Sequence, residues 1–221
     1  MNIALIVFAG TGSRIHSDIP KQFVKIKDID MVVYSIKKYN ENPHIDEIVL
    51  VTSKEFIPYA ECFKDKYELN KIVKVVEGGA TRQESVRLGL EALDYDDNDN
   101  ILIHDGDRPL ISHAIINQAI DYLEEYDASC PYLNPQDRLE EVSNSGRKTI
   151  LYGKEVDIQT PQAFKFGLIQ KMHIDKMNLE VNDDVSVLDP SRIKFFEGDK
   201  FNFKVTTDED LEFLKSHIEN L

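Results

Sequence analysis

The chain has 221 residues, enough for one large domain, and 42% of them are apolar, which excludes wholesale disorder. Its net charge of -14 and isoelectric point near 4.8 exclude a general affinity for nucleic-acid backbones or anionic membranes. Any phosphate chemistry must therefore gather its cations locally or use a metal. The two cysteines, Cys62 and Cys130, lack CxxC spacing and read as reduced thiols. With no charged-then-apolar leader and no run long enough to span a bilayer, a soluble cytoplasmic protein is the expectation.

In chain order, residues 3–9 form an unbroken apolar run that predicts a buried central strand. It ends in Gly10-Thr11-Gly12, followed by Arg14 and, after an Ile-Pro corner, Lys21. Glycines there let backbone N–H groups approach an anion, and two cations stand within reach of it. Residues 31–39 have helical spacing, 45–52 read as a strand, 56–67 as a helix and 71–76 as a strand ended by Gly78-Gly79. Residues 81–93 are a periodic helix, with Thr81 and Glu84 spaced as a capping box. Residues 100–104 are a buried strand closed by Asp105-Gly106-Asp107-Arg108-Pro109, and 112–126 a helix with Ser112 as its cap.

This alternation predicts a parallel, doubly wound α/β sheet whose ligand site lies along the carboxyl ends of the strands. The turns at Gly10–Gly12, Gly78-Gly79 and Asp105–Arg108 all fall at such ends and should converge. From residue 128 the texture changes. A strand at 128–133 precedes a hairpin, 138–142 and 148–152 around Asn144-Ser145-Gly146, of the kind that serves as a dimerising arm. A helix is expected at 165–177, led in by QTPQAF, and a short one at 185–188 opened by Asn182-Asp183-Asp184. Strands follow at 194–197 and 202–205, then a Thr206–Glu209 capping box and a closing helix at 208–218.

Several chemistries are absent from the pattern. A dinucleotide fingerprint needs glycine where Ile15 stands, no GxxxxGK[ST] occurs, and neither HExxH nor GxSxG is present. Taken singly, the remaining constellations stay open. Gly-x-Gly suits a tight turn or a phosphate cradle; Arg82 and Ser85 lie in the first turns of a helix behind Gly78-Gly79; Asp105 and Asp107 suit a hard cation or an internally paired turn. Asp183-Asp184 reads more simply as a helix cap than as a metal pair, and Lys204 as a surface lysine unless its strand lies beside the first.

Taken together, AGTGSR, PKQF, GGATRQESV, HDGDRPL, QTPQAF, NDDVS and FNFKVTTDEDL, in this order along nearly the whole chain, resemble the polyol-phosphate cytidylyltransferases. That family includes the 2-C-methyl-D-erythritol 4-phosphate and the ribitol 5-phosphate enzymes. The resemblance implies a Rossmann-like, mostly parallel mixed sheet in a single nucleotidyltransferase domain spanning 1–221. It also implies a protruding β-hairpin arm at about 134–156 that joins a homodimer. The implied reaction takes CTP and a polyol phosphate to a CDP-polyol and pyrophosphate, with Mg2+ on the nucleotide and no covalent intermediate.

By carry-over, Arg14, Lys21 and Lys204 are the catalytic cations. Ala9, Gly10, Thr11 and Gly12 cradle the triphosphate, and Gly78, Gly79, Arg82 and Ser85 line the cytosine pocket. Asp105 lies near the ribose and the magnesium; Arg108, Asp137, Arg138, Tyr152 and Thr160 serve the polyol phosphate. The chain departs from the family pattern at Phe8 and Thr11, at Asp107 where an uncharged residue is usual, at Arg138 for threonine and at Tyr152 for arginine. Arg138 is expected to supply the cation that Tyr152 lacks. These departures favour neither of the family's two acceptors and open a third polyol phosphate of a capsule or surface polymer; the expected acceptor is a surface-polymer alditol phosphate, with ribitol 5-phosphate the named candidate. The alternatives are 2-C-methyl-D-erythritol 4-phosphate and, in another class, a non-catalytic nucleotide-binding regulatory subunit.

Overall fold

The computed structural model describes residues 1–10, 19–135, 140–143, 146–149, 155–175 and 183–219. Its centre is β1 (Asn2–Val7), flanked in parallel by β2 (Glu47–Thr52) and β4 (Asn100–Asp105), with β3 (Ile72–Glu77) parallel to β2. Beyond β4 the sheet turns mixed. β9 (Gln162–Lys165) runs antiparallel to both β4 and β5 (Ala128–Leu133), β8 (Asp157–Ile158) antiparallel to β5, and β10 (Ile193–Glu197) parallel to β5. The eight strands are ordered β8-β5-β9-β4-β1-β2-β3, with β10 on β5, which is the mostly parallel, mixed Rossmann-like sheet that the family resemblance implies. The hairpin is present as β6 (Glu140–Ser143) paired antiparallel with β7 (Gly146–Thr149).

The apolar run that marks β1 is buried on both faces, and its period of two divides the core. Ile3, Leu5 and Val7 pack with α2 (Arg82–Glu91) through Val86 and Leu90, and with α4 (Phe166–Asp175) through Phe166 and Ile169. Ala4, Ile6 and Phe8 pack with α1 (Met31–Glu41) through Val32, Val33 and Ile36, and with α3 (His113–Asp121) through Ile115, Ile116 and Ala119. Each fully buried aliphatic side chain of this kind stabilises the fold by about 1.5–3 kcal/mol. A smaller cluster docks the closing helix α5 (Asp208–Glu219), through Leu211, Leu214 and Ile218, on Ile26, Met31 and Val205.

Four local expectations change. Residues 56–67 are not one helix: a 3₁₀ turn, Lys54–Phe56, precedes the helices Ile57–Glu61 and Phe63–Lys66, because Pro58 fits a first helical turn but cannot continue a helix. Gln162–Lys165 is a strand rather than a lead-in, since Ala163 and Phe164 are buried between β4 and β5. Residues 202–205 are irregular, although Val205 N–H still donates to Asp107 O at 2.9 Å. The closing helix is capped one residue later than expected. Thr207 Oγ1 accepts from Asp210 N–H at 3.3 Å, while Asp210 Oδ2 accepts from the N–H groups of Thr206 and Thr207. The other two caps stand: Thr81 Oγ1 accepts from Glu84 N–H and Ser112 Oγ from Ile115 N–H.

Candidate functional site

The carboxyl ends of β1, β2, β3 and β4 meet, and backbone bonds lock them together. Phe8 N–H donates to Val51 O at 2.8 Å, Gly78 N–H to Thr52 O at 2.7 Å and Gly106 N–H to Val7 O at 2.9 Å. Gly78 is required by this approach: a Cβ there would stand 2.6 Å from Ala9 Cβ and 2.9 Å from Ser85 Oγ. Between the turns lies a cavity of about 140 Å³. Its described lining includes Ala9, Gly10, Lys21, Arg82, Ser85, Asp105 and Lys204 from the expected set, joined by Gln22, Thr81 and Asp107.

Charge in this cavity is paired in an alternating chain. Arg82 Nε donates to Asp105 Oδ1 at 2.7 Å, and Lys204 Nζ lies 3.0 Å from Asp105 Oδ2. Lys21 Nζ donates to Asp107 Oδ2 and to Val205 O, both at 2.6 Å. Burial alone would raise the pKa of Asp105, but Arg82, Lys204 and Arg108 hold it well below the usual carboxylate range. The carboxylate is therefore ionised, and the lysine and arginine donors it leaves over are available to another anion.

Two expected residues hold the site from behind rather than lining it. Arg108 is buried and donates to Asn202 O at 2.8 Å and Ile158 O at 3.3 Å, with Nε 3.8 Å from Asp105 Oδ2. Thr160 Oγ1 accepts from Asp105 N–H at 3.0 Å and donates to His104 Nδ1 at 3.2 Å. His104 Nε2–H then donates to Arg108 O at 3.2 Å, so the ring is a neutral imidazole, and burial pushes its pKa down to about 3. Ser85, placed by sequence in the base pocket, donates to Thr81 O at 2.8 Å and accepts from Gly79 N–H at 3.0 Å, holding the Gly78-Gly79 turn against α2. Thr11, Gly12, Arg14, Asp137, Arg138 and Tyr152 lie outside the described residues.

Gln22 and Asp184, given no site role from sequence, prove structural to the site. Gln22 Nε2 clamps the first turn by donating to Phe8 O and Gly10 O at 2.9 and 2.8 Å. Asp184, read as a helix cap, is fully buried: its carboxylate lies 2.9 Å from Arg82 Nη2 and 3.2 Å from His173 Nε2. Burial works against its charge, but Arg82 and His173 keep its pKa lowered. The available signal was apolar flanking, since Val185 and Val187 beside it are core residues.

A group of three or more His, Cys, Asp or Glu side chains placed to hold a metal does not occur among the described residues. Both oxygens of Asp105 already face cations. This donor set fits a divalent ion carried by a ligand's own phosphates, not one caged by protein. No helix among the described residues is long and apolar enough to cross a membrane.

Residues 2–219 match the IspD family model, described as 2-C-methyl-D-erythritol 4-phosphate cytidylyltransferase. A Clostridium novyi protein of that name is 41% identical over 227 residues, covering 100% of this chain and 97% of its own. One from Clostridium beijerinckii is 37% identical, covering 99% and 98%. Among solved structures, 4-diphosphocytidyl-2C-methyl-D-erythritol synthase from Anaerococcus prevotii superposes with a TM-score of 0.84 at 26% identity, over 99% of this chain and 96% of that one. The 2-C-methyl-D-erythritol 4-phosphate cytidylyltransferase of Francisella tularensis does so with 0.79 at 26%, over 97% and 98%.

Proposed function

The chain belongs to the 2-C-methyl-D-erythritol 4-phosphate cytidylyltransferase family and is a nucleotidyltransferase, and from that premise we propose that its acceptor is 2-C-methyl-D-erythritol 4-phosphate. The products are then the CDP-linked alcohol and pyrophosphate, in a step of isoprenoid synthesis. The sequence preference for ribitol 5-phosphate and a surface polymer is withdrawn. The departures at Asp107, Arg138 and Tyr152 do not separate the two acceptors, whereas identity along the full chain runs to proteins named for methylerythritol phosphate. A few changed positions weigh less than a match from residue 2 to residue 219.

The observation that carries the reading is the convergence of Lys21, Arg82 and Lys204 on one cavity at the ends of β1 and β4. The acceptor phosphate attacks the α-phosphorus of CTP in line, and pyrophosphate leaves on the far side. Nothing covalent passes through the protein, so its contribution is placement and charge neutralisation. Lys21, with Arg14, meets the charge that grows on the α-phosphate and leaving group. Lys204 bridges the α-phosphate and the incoming phosphate. Backbone groups at Gly78 and Gly79 meet the cytosine edge, where the close approach of Ala9 favours a small base. Asp105 is the residue that would face a magnesium ion carried on the triphosphate, and such an ion would supply further charge neutralisation there. The arm at 134–156 reaches a second copy and completes the acceptor site, with Arg138 standing in for a cation at Tyr152.

Pyrophosphate release from CTP, measured across a panel of polyol phosphates, tests this. Turnover is expected with methylerythritol phosphate and Mg2+. Turnover confined to ribitol 5-phosphate overturns the acceptor, and turnover with none supports a regulatory subunit.

A further inference from the structure

The Asp107 carboxylate stands between the two lysines that line the cavity. Oδ2 accepts from Lys21 Nζ at 2.6 Å, and Oδ1, buried and without a hydrogen-bond partner among the described residues, lies 3.8 Å from Lys204 Nζ. The Lys21 and Asp107 side chains are only 11% and 14% exposed. A lysine ammonium has three N–H donors on a flexible stem, so its direction is undefined unless acceptors fix it. Here two acceptors do. Asp107 Oδ2 takes one donor and Val205 O, also at 2.6 Å, takes the second.

These acceptors are themselves tied, because Val205 N–H donates to Asp107 O at 2.9 Å. The loop after β4, the segment before α5 and the ammonium thus form a closed triangle. With two donors occupied, the third is set by tetrahedral geometry, and Lys21 lines the cavity. A charge-assisted bond at this distance is short and directional, so the carboxylate fixes the ammonium more firmly than the carbonyl alone.

We propose that Asp107 is a positioning residue for the reaction: it orients the Lys21 ammonium so that one N–H meets the nucleotide phosphate as charge develops. The proposal rests on the reading that Lys21 acts on that phosphate. A group that orients without touching substrate affects the transition state more than ground-state binding, and a misplacement of about 1 Å costs on the order of a hundredfold in rate.

The test compares steady-state pyrophosphate release, with CTP varied at saturating acceptor, for the full-length protein and its variants. Asp107→Ala is expected to lower kcat by roughly ten- to a hundredfold while the CTP KM stays within about threefold. Asp107→Asn, which keeps an oxygen acceptor in place, is expected to recover most of that loss. In a Lys21→Ala background, adding Asp107→Ala is expected to change kcat by less than about threefold, because the group being oriented is gone. Should Asp107→Ala fail to fold, Asp107→Ser, too short to reach Lys21, takes its place with the same expectation. A kcat for Asp107→Ala at or above wild type, with a lower CTP KM, overturns the proposal, since the carboxylate would then merely oppose the phosphates. The same loss with and without Lys21 also overturns it. An inactive Lys21→Ala beside a fully active Asp107→Ala removes this inference alone; a fully active Lys21→Ala removes the role of Lys21 and this inference with it.

Discussion

Two regions of this molecule bury a carboxylate, and they solve the problem differently. On the flank beside α1, Asp30 is fully buried and accepts from Tyr59 Oη at 2.9 and 3.1 Å and from Tyr67 Oη at 2.6 Å, with Lys66 Nζ at 3.5 Å. Burial first, and the bond to Asp30 second, push both tyrosines upward, so they remain protonated donors. The two tyrosine rings belong to an aromatic cluster with Phe23 and Phe63, whose neighbouring ring centroids lie 5.3–6.5 Å apart. At the end of β4, Asp105 is instead crossed by Arg82, Lys204 and Arg108. A tyrosine hydroxyl has a single proton, and here it is spent. Arginine has five donors and lysine three, so the cations around Asp105 keep donors to offer. The first arrangement satisfies a charge and closes. The second satisfies a charge and leaves a surface prepared for an anion.

Removing a cation from the open region is the most severe way to break that contrast. Lys204→Ala should lower kcat by about a thousandfold, the loss of one strong transition-state donor, about 4 kcal/mol, with the melting temperature little changed. Pyrophosphate release and thermal unfolding measured on the same preparation check this, and turnover within tenfold of wild type would take Lys204 out of the chemistry. Asp184→Ala cuts deeper into the support. Arg82 loses the partner at 2.9 Å and His173 the one at 3.2 Å, which should destabilise the fold by about 3 kcal/mol in urea unfolding. Asp30→Ala sharpens the comparison from the closed side. Leaving the half-buried tyrosine hydroxyls without their acceptor should cost about 1 kcal/mol, yet turnover per folded molecule should not move. A turnover defect there would mean that the flank and the site are coupled.

The two regions also differed in how far sequence exposed them. The convergence of Gly10, Gly78 and Asp105 followed from apolar runs of period two closed by glycine or aspartate, because strand ends in a parallel sheet share one edge. Lys204 lines the cavity although its segment is irregular, since the backbone bond from Val205 to Asp107 holds it there without a ladder. Asp184 and Gln22 were not legible as site residues. An aspartate before an apolar turn reads as a cap, and only the docking of α4 against α2 brings His173 and Arg82 to it. Asp30 was invisible for the same reason: its partners, Tyr59 and Tyr67, lie 29 and 37 residues away, one on a short helix and the other just past the end of a second. Strand-end chemistry is local and periodic. Support from behind is tertiary, and a single sequence carries no mark of it.

The gentlest probe of the open region uses protons rather than mutations. His104 sits behind Asp105, neutral, with Thr160 and Arg108 occupying its two nitrogens. Its pKa is about 3 in the folded chain, against about 6.5 for an unperturbed histidine. Below 6.5 the unfolded chain takes up a proton that the folded chain refuses, so stability falls as pH drops from 6.5 toward 3. The lowered carboxylates Asp105 and Asp184 act in a different window. Their contribution is complete above the unfolded carboxylate value of about 3.9 and disappears only as pH falls through their folded values. Between pH 7.0 and 5.5 the loss due to His104 should therefore be about 1 kcal/mol in urea unfolding. His104→Gln, though less stable at pH 7.0, should lose that much less over the same interval. Equal losses in the two proteins would show that the imidazole behind Asp105 is not held neutral by the fold.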